Sequence, residues 1–259
     1  MAEPRALRVV HTSDVHLGAY GGRSDGHWDE RRSLIEQAFI RVIDLALEQA
    51  ADALLICGDF FDNDRVDDEV VAFAGEHLRR YAGPVYLLPG NHDPLDDGRL
   101  YHRHDLESAA PNLRILRAHK GETIEAEGLD LVLWGRGYYD HDWHFRPLEG
   151  LPPRLDARWH IALGHGHFVP EGGENHRSLP IHESELVAAA GQWDYIALGH
   201  WEPHADVSSG GATAIYSGAP MPLSDSNNRA GWAVVVDFDA SGVRWQKHRV
   251  DPRHAGAEG

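Results

Sequence analysis

Apolar runs of strand length alternate with helical periodicity through the first third of the chain. Leu7 to Thr12 predicts a strand, followed by a Gly-rich loop through Gly21 and Gly22 that carries His27 and Trp28. Asp29 then caps a helix from about Glu30 to Gln49, in which Leu34, Ile35, Ala38, Phe39, Val42, Ile43 and Ala46 recur at helical spacing. Ala53 to Cys57 predicts the second strand. Asp67, Asp68 and Glu69 open a second helix ending near Gly83 and Pro84, with Arg79 and Arg80 in its last turn, where the helix dipole favours cations. Val85 to Leu88 predicts a third strand, and the βαβαβ order implies parallel strands covered by helices.

From about Leu113 the pattern changes to strands joined by short turns. They are expected over Leu113 to Leu116, Glu122 to Glu127, Leu129 to Trp134, His160 to Leu163, Tyr195 to Leu198, Thr213 to Ser217, Trp232 to Phe238 and Val243 to Val250. Only Glu183 to Ala190 reads as a helix here, and Asp239 to Gly242 joins the last two strands as a hairpin. So many strands predict an α/β fold with two packed mixed β-sheets flanked by helices rather than one open sheet. No repeat or linker breaks the pattern, so 1–252 is expected to form one domain and 253–259 a disordered tail.

Five of the apolar runs end directly in metal-ligand residue types. They are Asp14-Val15-His16, Gly58-Asp59-Phe60-Phe61-Asp62, Gly90-Asn91-His92-Asp93, Gly164-His165-Gly166-His167 and Gly199-His200-Trp201-Glu202. Strand ends converge at the carboxyl edge of an α/β sheet, so these segments are expected to meet around one ligand. Asp, Asn and His with no nearby Cys suit Mn²⁺, Mg²⁺, Fe²⁺ or Zn²⁺ better than a thiolate site would. Each motif alone is more often a turn, because Gly, Asn and Asp tolerate left-handed backbone; the order and strand context of the whole set carry the argument.

That set resembles the calcineurin-like metallophosphoesterase superfamily over nearly the whole chain, which implies a four-layer αββα sandwich. Asp14-Val15-His16-Leu17-Gly18, Gly58 to Asp62 and Tyr216-Ser217-Gly218-Ala219-Pro220 look like the SbcD-type DNA repair exonuclease branch. Its capping domain and SbcC-type ATPase-binding segment are not evident here. The resemblance implies two divalent ions, Mn²⁺ by preference. Asp14 and His16 would hold the first, Asp59 would bridge both, and Asn91, His165 and His200 would complete the second. His92 resembles the catalytic histidine, with Asp93 orienting it or a ligand. The usual Gly-His-x-His of the last motif reads Gly199-His200-Trp201-Glu202-Pro203-His204 here, so either Glu202 or His204 completes the first site, and the register favours Glu202. Trp201 and His167 are candidates for substrate contact.

Composition narrows the partners. The formal charge is −17, which cuts against a broad duplex-binding surface, whereas two bound cations would make a focused positive pocket for a small or single-stranded anion. The single Cys57 excludes a disulfide framework, and no apolar stretch has membrane-helix length, so a cytoplasmic protein is expected. The expected activity is hydrolysis of phosphodiester bonds by a metal-activated hydroxide, of DNA exonuclease or nuclease type. The alternatives are a phosphoesterase acting on a nucleotide or cyclic nucleotide, and a non-catalytic scaffold of the same fold. The loop from Gly135 to Arg146, rich in aromatic rings, could stack bases or serve as an anchored edge loop.

Overall fold

A computed structural model describes residues 6–20, 26–126, 128–173, 178–224 and 229–254, the side chains of 26 and 27 excepted. The expected loop through Gly21 and Gly22 and residues 255–259 lie outside the described residues. In chain order the elements are β1 (Leu7–Thr12), α1 (Gly26–Glu48), β2 (Ala53–Cys57), α2 (Asp68–Leu78), β3 (Val85–Leu88), α3 (Leu100–Arg103), α4 (Leu106–Ala109) and β4 (Leu113–Ile115). There follow β5 (Glu122–Ala126), β6 (Leu131–Gly135), β7 (Trp159–His165), β8 (His167–Val169), β9 (Pro180–His182), α5 (Glu183–Ala189) and β10 (Tyr195–Gly199). The chain closes with β11 (Ala205–Asp206), β12 (Ala214–Tyr216), β13 (Trp232–Asp239), β14 (Gly242–Arg249) and a 3₁₀ turn at Pro252–His254.

Two six-stranded mixed sheets form, as the strand count predicted. One has the order β14-β13-β1-β2-β3-β4, the other β11-β12-β10-β7-β6-β5. β1 to β4 run parallel, with β13 antiparallel to β1 and β14 antiparallel to β13; β12, β10, β7 and β6 run parallel, flanked by antiparallel β11 and β5. Each sheet is covered on both faces, which explains why β2, β3, β7 and β10 are continuous apolar runs rather than alternating ones. Leu55, Tyr86, Leu133, Ile161, Tyr195 and Phe238 fill the layer between the sheets. Val10, Ile35, Phe39, Val42, Ile43 and Leu78 fill the layer under α1 and α2, and Leu186, Trp193, Leu198 and Tyr216 the layer under α5.

Several details differ from expectation. α2 ends at Leu78 instead of near Gly83, so Arg79 is its C-cap and Arg80 lies beyond it. α1 begins at Gly26, so Asp29 lies inside its first turn, where the dipole favours a carboxylate and Arg32 pairs with it at 3.0 Å. α3, α4, β8, β9 and β11 carry no periodicity of their own, being too short for a pattern. The expected disordered tail starts with an ordered turn, because Arg253 and His254 both reach the buried Asp251.

Candidate metal centre

The carboxyl ends of β1, β2 and β3 meet those of β7 and β10 at the seam between the two sheets. Asp14 and His16 follow β1, Asp59 follows β2, Asn91 and His92 follow β3, His165 ends β7 and His200 follows β10. Bonds cross the seam directly: His165 Nδ1–H donates to the Cys57 carbonyl at 2.9 Å, and the His200 N–H donates to the Asp14 carboxylate at 3.0 Å. The backbone is bent to bring this about. Asp14, His16, Asp59 and His200 all have positive φ, at 53°, 54°, 50° and 102°, a conformation uncommon for residues with side chains and costing about 1–3 kcal/mol each. Cross-loop bonds hold it, from Asp14 N–H to Gly58 O and from His16 N–H to Asp59 O, each 3.0 Å. Gly58 is required beside them, since a Cβ there would lie 1.9 Å from His165 Nδ1.

With the rings neutral and their inward nitrogens unprotonated, the converging donor atoms set acceptor against acceptor. With its Nδ1 proton spent on Cys57, His165 presents Nε2 to Asp59 Oδ2 at 3.2 Å and to Asn91 Oδ1 at 3.1 Å, and His200 Nδ1 lies 3.0 Å from the same Asn91 oxygen. Lone pairs gathered this way repel one another unless a cation sits among them. The residues therefore fit a metal ion. Asp59, His165 and His200 form one cluster able to hold an ion, and Asp14, His16 and Asp59 a second, with Asp59 common to both. Without a cation the carboxylates favour protonated rings instead. Burial opposes a charged ring at His165 and at His16, yet the Asp59 carboxylate around the first, and Asp62 with Asp59 around the second, raise both to about 9. Burial and the neighbouring His165 lower His200 to about 3.

His92 stands at the mouth of the centre, exposed, with its ring edge-on to His16 at 4.8 Å. Its Nδ1–H donates to the Asp62 carbonyl at 2.8 Å, which leaves Nε2 as the nitrogen available to a substrate. The Asp62 carboxylate lies 3.3 Å from His16 Nδ1, so His16 turns Nε2 towards Asp59 at 3.9 Å. Asp93 was expected to orient His92 or a ligand; its contacts run to the loops that carry Asp59 and Asn91. It accepts the N–H groups of Phe60, Phe61 and Gly90 and the hydroxyl of Tyr101 at 2.9, 3.1, 2.7 and 2.7 Å. It thus pins the Asp59 loop to the Asn91 loop, and burial together with Asp59 raises its carboxyl to about 6. Tyr101 was not anticipated, because nothing in its local sequence marks it as a partner of Asp93.

Neither Glu202 nor His204 joins a ligand cluster among the described residues. The turn they form is fastened elsewhere: the Glu202 carbonyl accepts the Ala219 N–H at 2.8 Å, and the His204 ring packs against Trp245 at 5.3 Å. Trp201 and His167 do come together beside His200. Trp201 Nε1–H donates to His167 Nδ1 at 2.9 Å while its indole stacks on Tyr216 at 4.5 Å and 14°. Tyr216 is in turn fixed by its hydroxyl donating to Gly166 O at 2.7 Å. The aromatic loop is anchored through the buried Tyr138 and Phe145, and Trp143 projects from it, 92% exposed.

A family profile described as calcineurin-like phosphoesterase matches residues 7–201. The chain belongs to that family. It is 26% identical over 95% of its length to the DNA double-strand break repair protein Mre11 of Haloferax volcanii, and 26% over 96% to the uncharacterised metallophosphoesterase YhaO of Bacillus subtilis. It is also 32% identical over 59% of its length to a UDP-2,3-diacylglucosamine hydrolase of Shewanella baltica. The chain spans 53% of that Mre11, 64% of YhaO and 58% of the hydrolase. The crystal structure of TT1561 of Thermus thermophilus shares the fold, with a TM-score of 0.57 at 14% identity, covering 95% of this chain and 100% of that one. No helix among the described residues is long and apolar enough to cross a membrane.

Proposed function

We propose that this calcineurin-like phosphoesterase is a two-metal phosphodiesterase acting on single-stranded or terminal nucleic acid, with Mn²⁺ its preferred ion. The reading stands on one observation above the others: Asp59 belongs to two adjacent ligand clusters, the arrangement a shared carboxylate gives when two cations are held side by side. Asp14, His16 and Asp59 would hold one ion, and Asp59, Asn91, His165 and His200 the other. When bound, the pair supplies Lewis-acid charge for activating water and for stabilising a phosphoryl group under attack. Oxygen and imidazole donors without thiolate favour Mn²⁺ or Mg²⁺ over a soft ion.

The chain's own groups do the rest. Asn91 contributes an oxygen without adding negative charge beside an anionic substrate. His92, its Nδ1–H held by the Asp62 carbonyl, when protonated at Nε2 donates to a phosphoryl oxygen or to the leaving oxygen. His167 accepts from Trp201 at Nδ1, so its proton resides on Nε2, a donor suited to a phosphate oxygen near His200. The likeness to Mre11 over nearly the full chain supports a nucleic-acid substrate. The test is a screen of chelator-stripped, metal-reloaded protein against bis-p-nitrophenyl phosphate, cyclic nucleotides, and single- and double-stranded oligonucleotides. Manganese-dependent turnover of bis-p-nitrophenyl phosphate and of single strands is expected. Turnover confined to nucleotides would replace the substrate class, and none with any metal would overturn the reading.

A further inference from the structure

The β13–β14 hairpin carries a cationic and aromatic patch at the same edge of the sheet as the metal centre. β1 and β13 are antiparallel with His11 opposite Val234, so the start of β13 and the end of β14 lie where β1 delivers Asp14. There Trp232 faces Arg249 in register and Val234 faces Lys247. The Lys247 ammonium sits 4.4 Å and the Arg249 guanidinium carbon 4.2 Å from the Trp232 ring. This differs from the other cations of that sheet. Arg244 is matched to Asp239 at 2.6 Å and Arg8 to Asp237 at 2.6 Å, whereas Lys247 and Arg249 have no carboxylate partner among the described residues.

The patch is joined to the centre by the backbone. Ala219 N–H donates to the carbonyl of Glu202, and the Ala219 carbonyl accepts from Gly231 N–H at 2.8 Å and from Trp232 N–H at 3.3 Å. His204, from the same turn, packs on Trp245, one of the residues of β14 on the face that holds Lys247. The turn after His200 is thus tied by backbone hydrogen bonds to the start of β13 and by a ring contact to β14, on which Lys247 is exposed.

We propose that Trp232, Lys247 and Arg249 form a subsite for the backbone phosphates of a single-stranded nucleic acid extending away from the metal centre. The proposal rests on the phosphodiesterase reading for its substrate, and it adds the direction in which that substrate lies. Charge selects the occupant: a chain of formal charge −17 repels a duplex laid across it, while exposed Lys247 and half-buried Arg249, which donates to the Ala230 carbonyl and has no carboxylate partner among the described residues, attract a narrow strand at the rim. Aromatic rings beside the phosphate contacts are what single-strand binders use to hold bases independently of sequence.

The experiment compares wild type, Lys247→Glu and Arg244→Glu by fluorescence anisotropy with a labelled single strand and its duplex, across salt concentrations, with bis-p-nitrophenyl phosphate hydrolysis measured on the same preparations. Arg244→Glu makes the same charge change on the same strand away from the rim. Lys247→Glu should weaken single-strand binding about fivefold to tenfold at low salt and reduce the salt slope by about one, with Arg244→Glu much milder. Equal weakening by both variants, no weakening by Lys247→Glu, or tighter binding of duplex than of single strand would each overturn the subsite. Wild type that cleaves bis-p-nitrophenyl phosphate yet binds no strand removes the subsite and leaves the phosphodiesterase. Wild type that cleaves nothing yet loses strand binding through Lys247→Glu alone does the reverse.

Discussion

The Asp62 backbone carbonyl accepts the Nδ1–H of His92 at 2.8 Å while the carboxylate of the same residue stands 3.3 Å from Nδ1 of His16. One residue thereby sets the ring orientation of a candidate ligand and of the candidate acid. Replacing it tests whether the two functions separate.

Asp62→Asn keeps the carbonyl that holds His92 and removes the charge facing His16. Affinity for one of two metal equivalents should fall about tenfold to a hundredfold, the usual effect of losing a carboxylate behind a ligating histidine. Metal titration of stripped protein reads this. Two sites titrating as in wild type would mean Asp62 does not tune His16.

His92→Ala should retain both metals and slow turnover by about 10²–10⁴. The check is metal content by mass spectrometry alongside kcat for bis-p-nitrophenyl phosphate. If metal leaves with the ring, His92 is a ligand, and its proposed acid role is lost.

Asp59→Asn removes the charge common to both clusters. Loss of most bound metal and of activity is expected, because both ions depend on that carboxylate. A variant that still binds two equivalents and turns over at the wild-type rate would refute the bridging role.

Metal binding should release protons and strengthen with pH. His16 and His165 rise to about 9 without metal, so each is largely protonated at neutral pH and must lose that proton to ligate. Between pH 7 and 9 the apparent affinity should climb by up to about tenfold per unit for each ring involved. In the metal-free protein the sign is opposite. A folded-state value above the ordinary 6.5 contributes stability that is complete below pH 6.5 and disappears as pH rises through about 9. The chelated protein should therefore melt at lower temperature at pH 9.5 than at pH 6.5. Calorimetry in buffers of different ionisation enthalpy counts the protons, and zero release would contradict the assignment.

Trp201→Phe preserves a ring to stack on Tyr216 and removes the N–H that sets the His167 tautomer, together with part of the indole's area. KM should rise about twofold to tenfold, the worth of one hydrogen bond, with kcat little changed. A fall in kcat at constant KM would place the pair in the chemical step instead of in binding.

Local pattern was enough to define the main elements and to single out the Asp and His residues that gather in clusters able to hold a metal ion. Apolar runs such as Ala53–Cys57 and Tyr195–Gly199 have the length and composition of strands buried on both faces, and chain direction places Asp59 and His200 at their carboxyl ends. Periodicity also exposed the buried stripe of α1, from Ile35 to Ala46. Contacts between segments distant in sequence emerge only in the folded molecule. Nothing local to Asp93 says that it will gather the amides of Phe60, Phe61 and Gly90 with the Tyr101 hydroxyl, and nothing local to His204 says that it will pack on Trp245. The same holds for Asn91, whose oxygen meets two imidazoles from the other sheet. Strand pattern is a property of neighbouring residues, while the placement of a side chain at a seam depends on register, twist and positive-φ turns that form only once both sheets are packed.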